Sequence, residues 1–265
     1  MKPPSISSFV TPSILLRSTL FFLGQVLSTL LLGPLVLLLW PASFEARYAL
    51  TQLWVRFNLW TLKTVCGLDY RVQGAEHIPP RNGVIMAKHQ SAFETIVLQA
   101  IFPPVVFVLK RELLRIPVWG WAMATLEPIA IDRRAKAQAM KQILKDGEAR
   151  IRRGRWVVLF PEGTRVAPGQ KGRYGTSAGL LAHRAGCPVV PVAHNAGEYW
   201  TKNGFLKFPG VVQVRIGPPI DASRLSAGEV NALAEQWIER QMAEITGFGP
   251  YARIQAPAAR DERAA

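Results

Sequence analysis

The sequence predicts an α/β fold: a mixed, largely parallel sheet flanked by helices, preceded by an N-terminal membrane-embedded helical segment. Three observations carry this. Short β-rich runs alternate with helical stretches from residue 70 onward, a pattern that packs helices on the faces of a parallel or mixed sheet. Ahead of them, Ser18 to Phe44 holds 27 positions without a charged side chain, and a helix crosses the bilayer core with ~20 apolar residues. Finally, 265 residues at 49% hydrophobic and 19% charged exclude a disordered chain and bury a core without disulfide or metal staples.

Taken in order, the apolar run LFFLGQVLSTLLLGPLVLLLW is longer than a signal-peptide core of ~7–15 residues. Gly33-Pro34 near its middle can kink the helix, because proline removes a backbone donor, so the segment either spans the membrane or dips into one leaflet and returns, and a bent helix is favoured over a straight span. Tyr48 to Leu68 sets Trp54, Phe57 and Trp60 beside Arg56 and Lys63, which reads as an amphipathic helix at the membrane interface. Strands are predicted at 70–74, 83–89, 105–110, 128–133, 156–160, 188–195 and 212–217. Helices are predicted at Ala92–Ile101, Ala135–Arg153, Ser177–Ala185 and Ala227–Ile245, the last with Ser226 as N-cap and Glu229 three residues on, the spacing of a capping box. Ala256 to Ala265 reads as a frayed tail. The resulting organisation is 1–68, membrane-embedded and interfacial helices; 69–247, an α/β domain; 248–265, a C-terminal tail.

The charge balance narrows the partners. With 32 Lys+Arg against 18 Asp+Glu the net charge is +14, which suits an anionic membrane, a phosphorylated substrate or nucleic acid. Arg133 to Arg184 holds 13 of the cations against Asp146, Glu148 and Glu162. No helix-turn-helix, RNP-like or zinc-finger pattern accompanies them, so nucleic acid is not an expected partner. Cys66 and Cys187 are the only cysteines; without a CxxC or Cys/His cluster, neither a metal site nor a cofactor is expected.

Candidate chemistry sits at strand ends, where sites of such sheets form. His89 follows an apolar strand in GVIMAKHQSAFETI, with Glu94 five residues on. On one helix the two side chains would diverge by ~140°. With His89 in the loop and Glu94 in the first helical turn they meet, Ser91 caps the helix, and Glu94 suits its positive end. A carboxylate on one imidazole nitrogen fixes the tautomer and leaves the other as a base. The second constellation is WVVLFPEGTR, where Pro161 and Gly163 force a turn expected to expose Glu162 and Arg165. An arginine fork there suits a phosphate. The competing readings are a solvent-facing or satisfied core histidine for the first motif and a plain surface turn with an ion pair for the second.

KHQSAFET and FPEGTR, in that order, resemble the glycerophospholipid acyltransferase family, bacterial-type 1-acyl-sn-glycerol-3-phosphate subgroup. The resemblance runs from about Tyr48 to Ile220, and Glu94 stands where the family more often has aspartate. It implies His89 and Glu94 as catalytic pair. Lys110 in VLKRELLRIPVWGW, Arg133 in IAIDR, and Glu162, Gly163, Thr164 and Arg165 in FPEGTR are implied substrate-binding residues, and Pro191 in VVPVAHNAG is implied to help shape the pocket. The implied reaction moves an acyl group from acyl-CoA or acyl carrier protein to lysophosphatidic acid, on the cytoplasmic face of a bacterial membrane. No GxSxG elbow is present and neither cysteine has a basic neighbour to hold a thiolate, so direct transfer without an acyl-enzyme is expected. Alternatives are another lysolipid acceptor, such as a lyso-ornithine lipid, and a non-enzymatic membrane lipid binder.

Overall fold

Thr11 opens the first helix: its hydroxyl accepts the Ile14 N–H at 3.3 Å, and Pro12 follows at a position where the missing donor costs nothing. The structure is a computed structural model and describes residues 10–251; the expected frayed tail lies outside them. Helix α1 spans Pro12–Leu38, and α2 spans Phe44–Thr64 with Ser43 as N-cap and Glu45 in the first turn. The helix is continuous through Gly33-Pro34 to Leu38, and the chain turns before Ser43. Gly33 serves close packing: a Cβ there would lie 2.5 Å from Val118 Cγ1.

Helix α1 is long and apolar enough to cross a membrane, and only 22% of its most apolar window is buried. Leu15, Leu16, Leu20, Leu23, Leu27 and Leu31 are exposed on it, a surface suited to association with a membrane. Helix α2 divides differently from the interfacial reading. Trp60 is exposed, but Trp54 is half-buried and donates its indole N–H to Thr29 Oγ1 of α1 at 3.0 Å. Phe21 of α1 and Val55 and Leu62 of α2 share one buried cluster with strand residues Ile85, Val158 and Val214. Residues of the N-terminal helices and of the sheet therefore share one buried core cluster.

Among the described residues the sheet has seven strands: β1 (Leu68–Gln73), β2 (Val84–Ala87), β3 (Val105–Lys110), β4 (Ile129–Ile131), β5 (Trp156–Leu159), β6 (Val189–His194) and β7 (Gly210–Ile216). Their order is β1-β7-β6-β2-β5-β3-β4, parallel throughout except for the antiparallel β6–β7 pair. Strands β2, β5 and β6 are buried at every position, which is why they read as continuous apolar runs rather than alternating ones. The remaining helices are α3 (Phe93–Ile101), α4 (Trp119–Ala124), α5 (Lys136–Arg152), α6 (Ser177–Ala185) and α7 (Ala227–Ile245). Ser226 and Glu229 form the expected capping box on α7. Helix α4 was not legible as an element: its six residues are too few to show a period. Because β2, β3, β4, β5 and β6 all run the same way, their C-terminal ends share one edge.

Candidate active site

His89 leaves the end of β2 in the loop, and Glu94 lies in the first turn of α3. Their side chains meet at 2.8 Å, His89 Nδ1–H donating to Glu94 Oε1. Glu94 is fully buried, and its carboxylate also accepts the N–H groups of Gln90 at 2.9 Å and Ser91 at 2.8 Å. Burial pushes its carboxyl up, but the electrostatic pull of the His194 ring, the His89 hydrogen bond and the Ser91 N–H outweigh burial and bring it below its ordinary value. The cap differs in detail from expectation: Ala92 is the N-cap residue, and Ser91 Oγ accepts the Phe93 N–H at 3.2 Å. The His89 ring stacks on Phe160 at the end of β5, centroids 3.9 Å apart and planes 12° apart. Stacking and the Glu94 bond together fix the ring.

His89 lines a cavity of about 640 Å³. Lys110 at the end of β3, Arg133 after β4 and Arg165 after β5 line the same cavity, so three strand ends bring three cations to it. Burial lowers the Arg133 guanidinium from its ordinary value, against the pull of Glu112. Phe22, Val26 and Leu30 of α1, Trp54 of α2 and Trp119 and Met123 of α4 form an apolar wall.

Glu162 departs from the sequence reading. Instead of facing solvent at the turn, it is 9% exposed and points inward. One oxygen accepts from Lys88 Nζ at 2.8 Å and Gly172 N–H at 2.9 Å, and the other accepts the His89 N–H at 3.1 Å. Lys88, 1% exposed, also reaches Glu239 on α7 at 2.9 Å and the Gln170 carbonyl at 3.1 Å. A buried ion pair this well hydrogen-bonded fixes geometry; it offers no free group to a ligand. Gly163 and Thr164 are exposed and do not line the cavity. Gly163 has φ +65°, a left-handed turn position that favours glycine, and Thr164 Oγ1 accepts from Lys202 Nζ at 3.1 Å. Pro191 lies buried inside β6 and also away from the cavity.

The sequence reading missed two residues beside the site. Lys88 stands directly before His89, where a lysine among apolar residues signals a buried partner. His194 lies in VVPVAHNAG, singled out there only for its proline, and is buried 4.0 Å from Glu94 Oε2. Among the described residues no cluster of His, Cys, Asp and Glu could hold a metal. Both cysteines are buried free thiols, and burial pushes each up to about 11.

A family model described as Acyltransferase matches residues 69–195, which include both site motifs. A 1-acyl-sn-glycerol-3-phosphate acyltransferase of Pseudomonas aeruginosa is 45% identical over 236 residues, 87% of this chain and 92% of that protein. The Saccharomyces cerevisiae enzyme of that name is 30% identical over 71% of this chain and 64% of its own. The solved structure of PlsC, the 1-acyl-sn-glycerophosphate acyltransferase of Thermotoga maritima, superposes with a TM-score of 0.73 at 24% identity, over 87% of this chain and 95% of that one, and so shares the fold. With a hydrogen-bonded His-Glu pair inside the matched region and a bacterial relative similar along nearly its whole length, this chain belongs to the acyltransferase family, in its 1-acyl-sn-glycerol-3-phosphate acyltransferase branch.

Proposed function

We propose that this protein moves a fatty acyl group from an acyl thioester, acyl-CoA or acyl carrier protein, to the sn-2 hydroxyl of 1-acyl-glycerol-3-phosphate, giving phosphatidic acid. The observation that carries the reading is the His89–Glu94 bond of 2.8 Å on the wall of a cavity that also presents Lys110, Arg133 and Arg165. Nδ1 is held by Glu94, so Nε2 is the nitrogen left for the substrate hydroxyl. As it takes that proton, the hydroxyl oxygen attacks the thioester carbonyl. The tetrahedral intermediate collapses, the carbon–sulfur bond breaks, and the thiolate takes the proton back from the imidazolium. Glu94 stabilises the charged ring throughout and stays ionised because its own carboxyl lies below the ordinary range.

The cations lining the cavity suit the acceptor's phosphate, Arg165 as a fork and Lys110 as a point charge. The apolar wall suits the acyl chains. Direct transfer follows from the candidate nucleophiles: Ser91 is buried with its hydroxyl on a backbone N–H, and the two thiols are held protonated. Soluble thioester donors are cytoplasmic, so the leucine face of α1 is placed in the cytoplasmic leaflet. The test is turnover by the full chain in mixed micelles with three acceptors: 1-acyl-glycerol-3-phosphate, a monoacylglycerol and a lyso-ornithine lipid. Phosphatidic acid as the dominant product supports the reading. Equal use of the acceptor without phosphate removes the phosphate site, and preference for the lyso-ornithine lipid replaces the acceptor.

A further inference from the structure

The peptide unit joining Lys88 to His89 is gripped at both ends by side chains from neighbouring strands. Its N–H, on His89, donates to Glu162 Oε2 at 3.1 Å. Its carbonyl, on Lys88, lies 2.8 Å from His194 Nε2. The backbone register between β2 and β6 ends at Ala87 and Val192. One more ladder bond follows, Lys88 N–H to the Val192 carbonyl at 3.0 Å. Then β6 turns to its antiparallel partner, where His194 stands opposite Val214. The Lys88 carbonyl is thus left where the β6 backbone no longer serves it, and the His194 ring supplies the donor.

The hydrogen bonds fix the tautomer of that ring. His194 Nδ1 accepts the Ala196 N–H at 3.3 Å, so it carries no proton, and the single ring proton sits on Nε2 facing the carbonyl. The neutral ring satisfies both nitrogens. A protonated one would set two donors against each other at Ala196. Burial also lowers the His194 pKa, opposed by Glu94 across the 4.0 Å gap. The charged and titratable groups around the ring are Glu94 from α3, and Lys88 and His89 from the end of β2.

We propose that His194 is a positioning residue for the reaction: through the Lys88 carbonyl it sets the peptide plane from which His89 projects, and its ring closes the far side of the Glu94 carboxylate. This rests on the reading of His89 as the base. Glu162 is the opposite jaw of the same clamp, and the Val166 N–H, bonded to the His89 carbonyl at 2.8 Å, holds the next peptide. Freed at its carbonyl, the peptide can rotate, and His89 Nε2 loses its placement against the substrate hydroxyl. Misplacement by ~1 Å costs a reaction up to ~100-fold.

The experiment compares His89→Ala, His194→Ala and His194→Gln in the full chain, in mixed micelles with 1-acyl-glycerol-3-phosphate and an acyl thioester. The glutamine amide can reach the Lys88 carbonyl as the ring Nε2–H does but cannot protonate. The expected result is that His194→Ala lowers kcat ~10- to 100-fold with little change in KM, shifts the acid limb of the pH–rate profile, and that His194→Gln restores most of kcat. Circular dichroism and a thermal midpoint keep unfolding separate, and an unfolded alanine variant leaves the glutamine variant's kcat and pH profile to decide. Wild-type kcat and pH profile in His194→Ala would overturn the proposal. So would a fall that glutamine does not rescue with the acid limb unmoved, which marks a structural role alone. Turnover by His89→Ala at the wild-type rate would instead overturn the base assignment beneath it.

Discussion

Lys88 and Lys110 end neighbouring parts of the same sheet edge, and they do opposite things. Lys88, 1% exposed, is saturated by Glu162, Glu239 and the Gln170 carbonyl. Lys110 has a side chain 47% exposed, faces the cavity, and has Glu112 at a loose 3.4 Å. The same contrast divides the whole edge. The ends of β2, β5 and β6 form a dry network in which Glu94, Glu162, Lys88 and His194 hold one another and His89. The ends of β3 and β4, with Arg165, present cations to open space. A residue type at a strand end therefore does not report its role. Its desolvation does: a buried charge must be paired and then cannot serve a ligand, whereas an open one keeps its hydration until a phosphate replaces it.

The sharpest test of this division is Glu162→Ala. It strips one of two carboxylate partners from a buried lysine and the acceptor from the His89 and Gly172 N–H groups, so stability should fall by ~3–5 kcal/mol in all, at ~1–3 kcal/mol for each donor left unsatisfied, and kcat should fall with it. Chemical denaturation reads the first and steady-state kinetics the second. A fully stable Glu162→Ala enzyme with a raised acceptor KM would return Glu162 to substrate binding. Next in size, Arg165→Ala should raise the KM for the acceptor about 10- to 100-fold, the equivalent of ~1.5–3 kcal/mol for a charge-assisted contact. A rise in the donor KM instead would assign Arg165 to the phosphates of CoA.

A smaller effect separates the halves by pH. Glu94 lies below its ordinary value in the folded protein. The unfolded state therefore binds its proton first as pH falls, so the stability Glu94 contributes is present above the ordinary carboxylate range and is lost as pH falls through its folded value. Glu94→Gln should flatten that acid-side loss in a pH series of melting midpoints, and lower turnover less than His89→Ala does. An unchanged acid-side slope would take Glu94 out of the buried network. At the small end, Lys110→Ala should leave stability within ~0.5 kcal/mol while weakening acceptor binding. A large loss of stability there would break the distinction between the two lysines.

Much of this arrangement is legible in the residues themselves. Seven β-rich runs announce seven strands, and those of β2, β5 and β6 are continuous because a strand buried on both faces needs apolar side chains at successive positions. Ser226 and Glu229 announce the start of α7 because the capping box is local chemistry. His89 and Glu94 are legible for the same reason, being five residues apart across a loop-to-helix turn. Glu162 is misread because its partner is 74 residues away in sequence. Proline and glycine around it mark a turn correctly, but a turn does not tell which way a side chain points. His194 is missed on the same ground, since its ring meets a carbonyl 106 residues earlier. At Gly33-Pro34 the sequence marks a site of possible bending, and there the helix stays continuous with Gly33 packed closely against Val118.

The central claim is that His89, held by the dry half of the edge, is the base that moves the acyl group. The most direct measurement is single-turnover acyl transfer by the purified full chain and its His89→Ala variant, with a labelled acyl thioester and 1-acyl-glycerol-3-phosphate, followed by mass spectrometry of the lipid and of the protein. The account requires labelled phosphatidic acid from the wild type, no acyl label on the protein with or without acceptor, and a rate ~10²- to 10⁴-fold lower in the variant, the usual contribution of a positioned base. Acyl label on the protein, or a His89→Ala rate equal to the wild type, would contradict it.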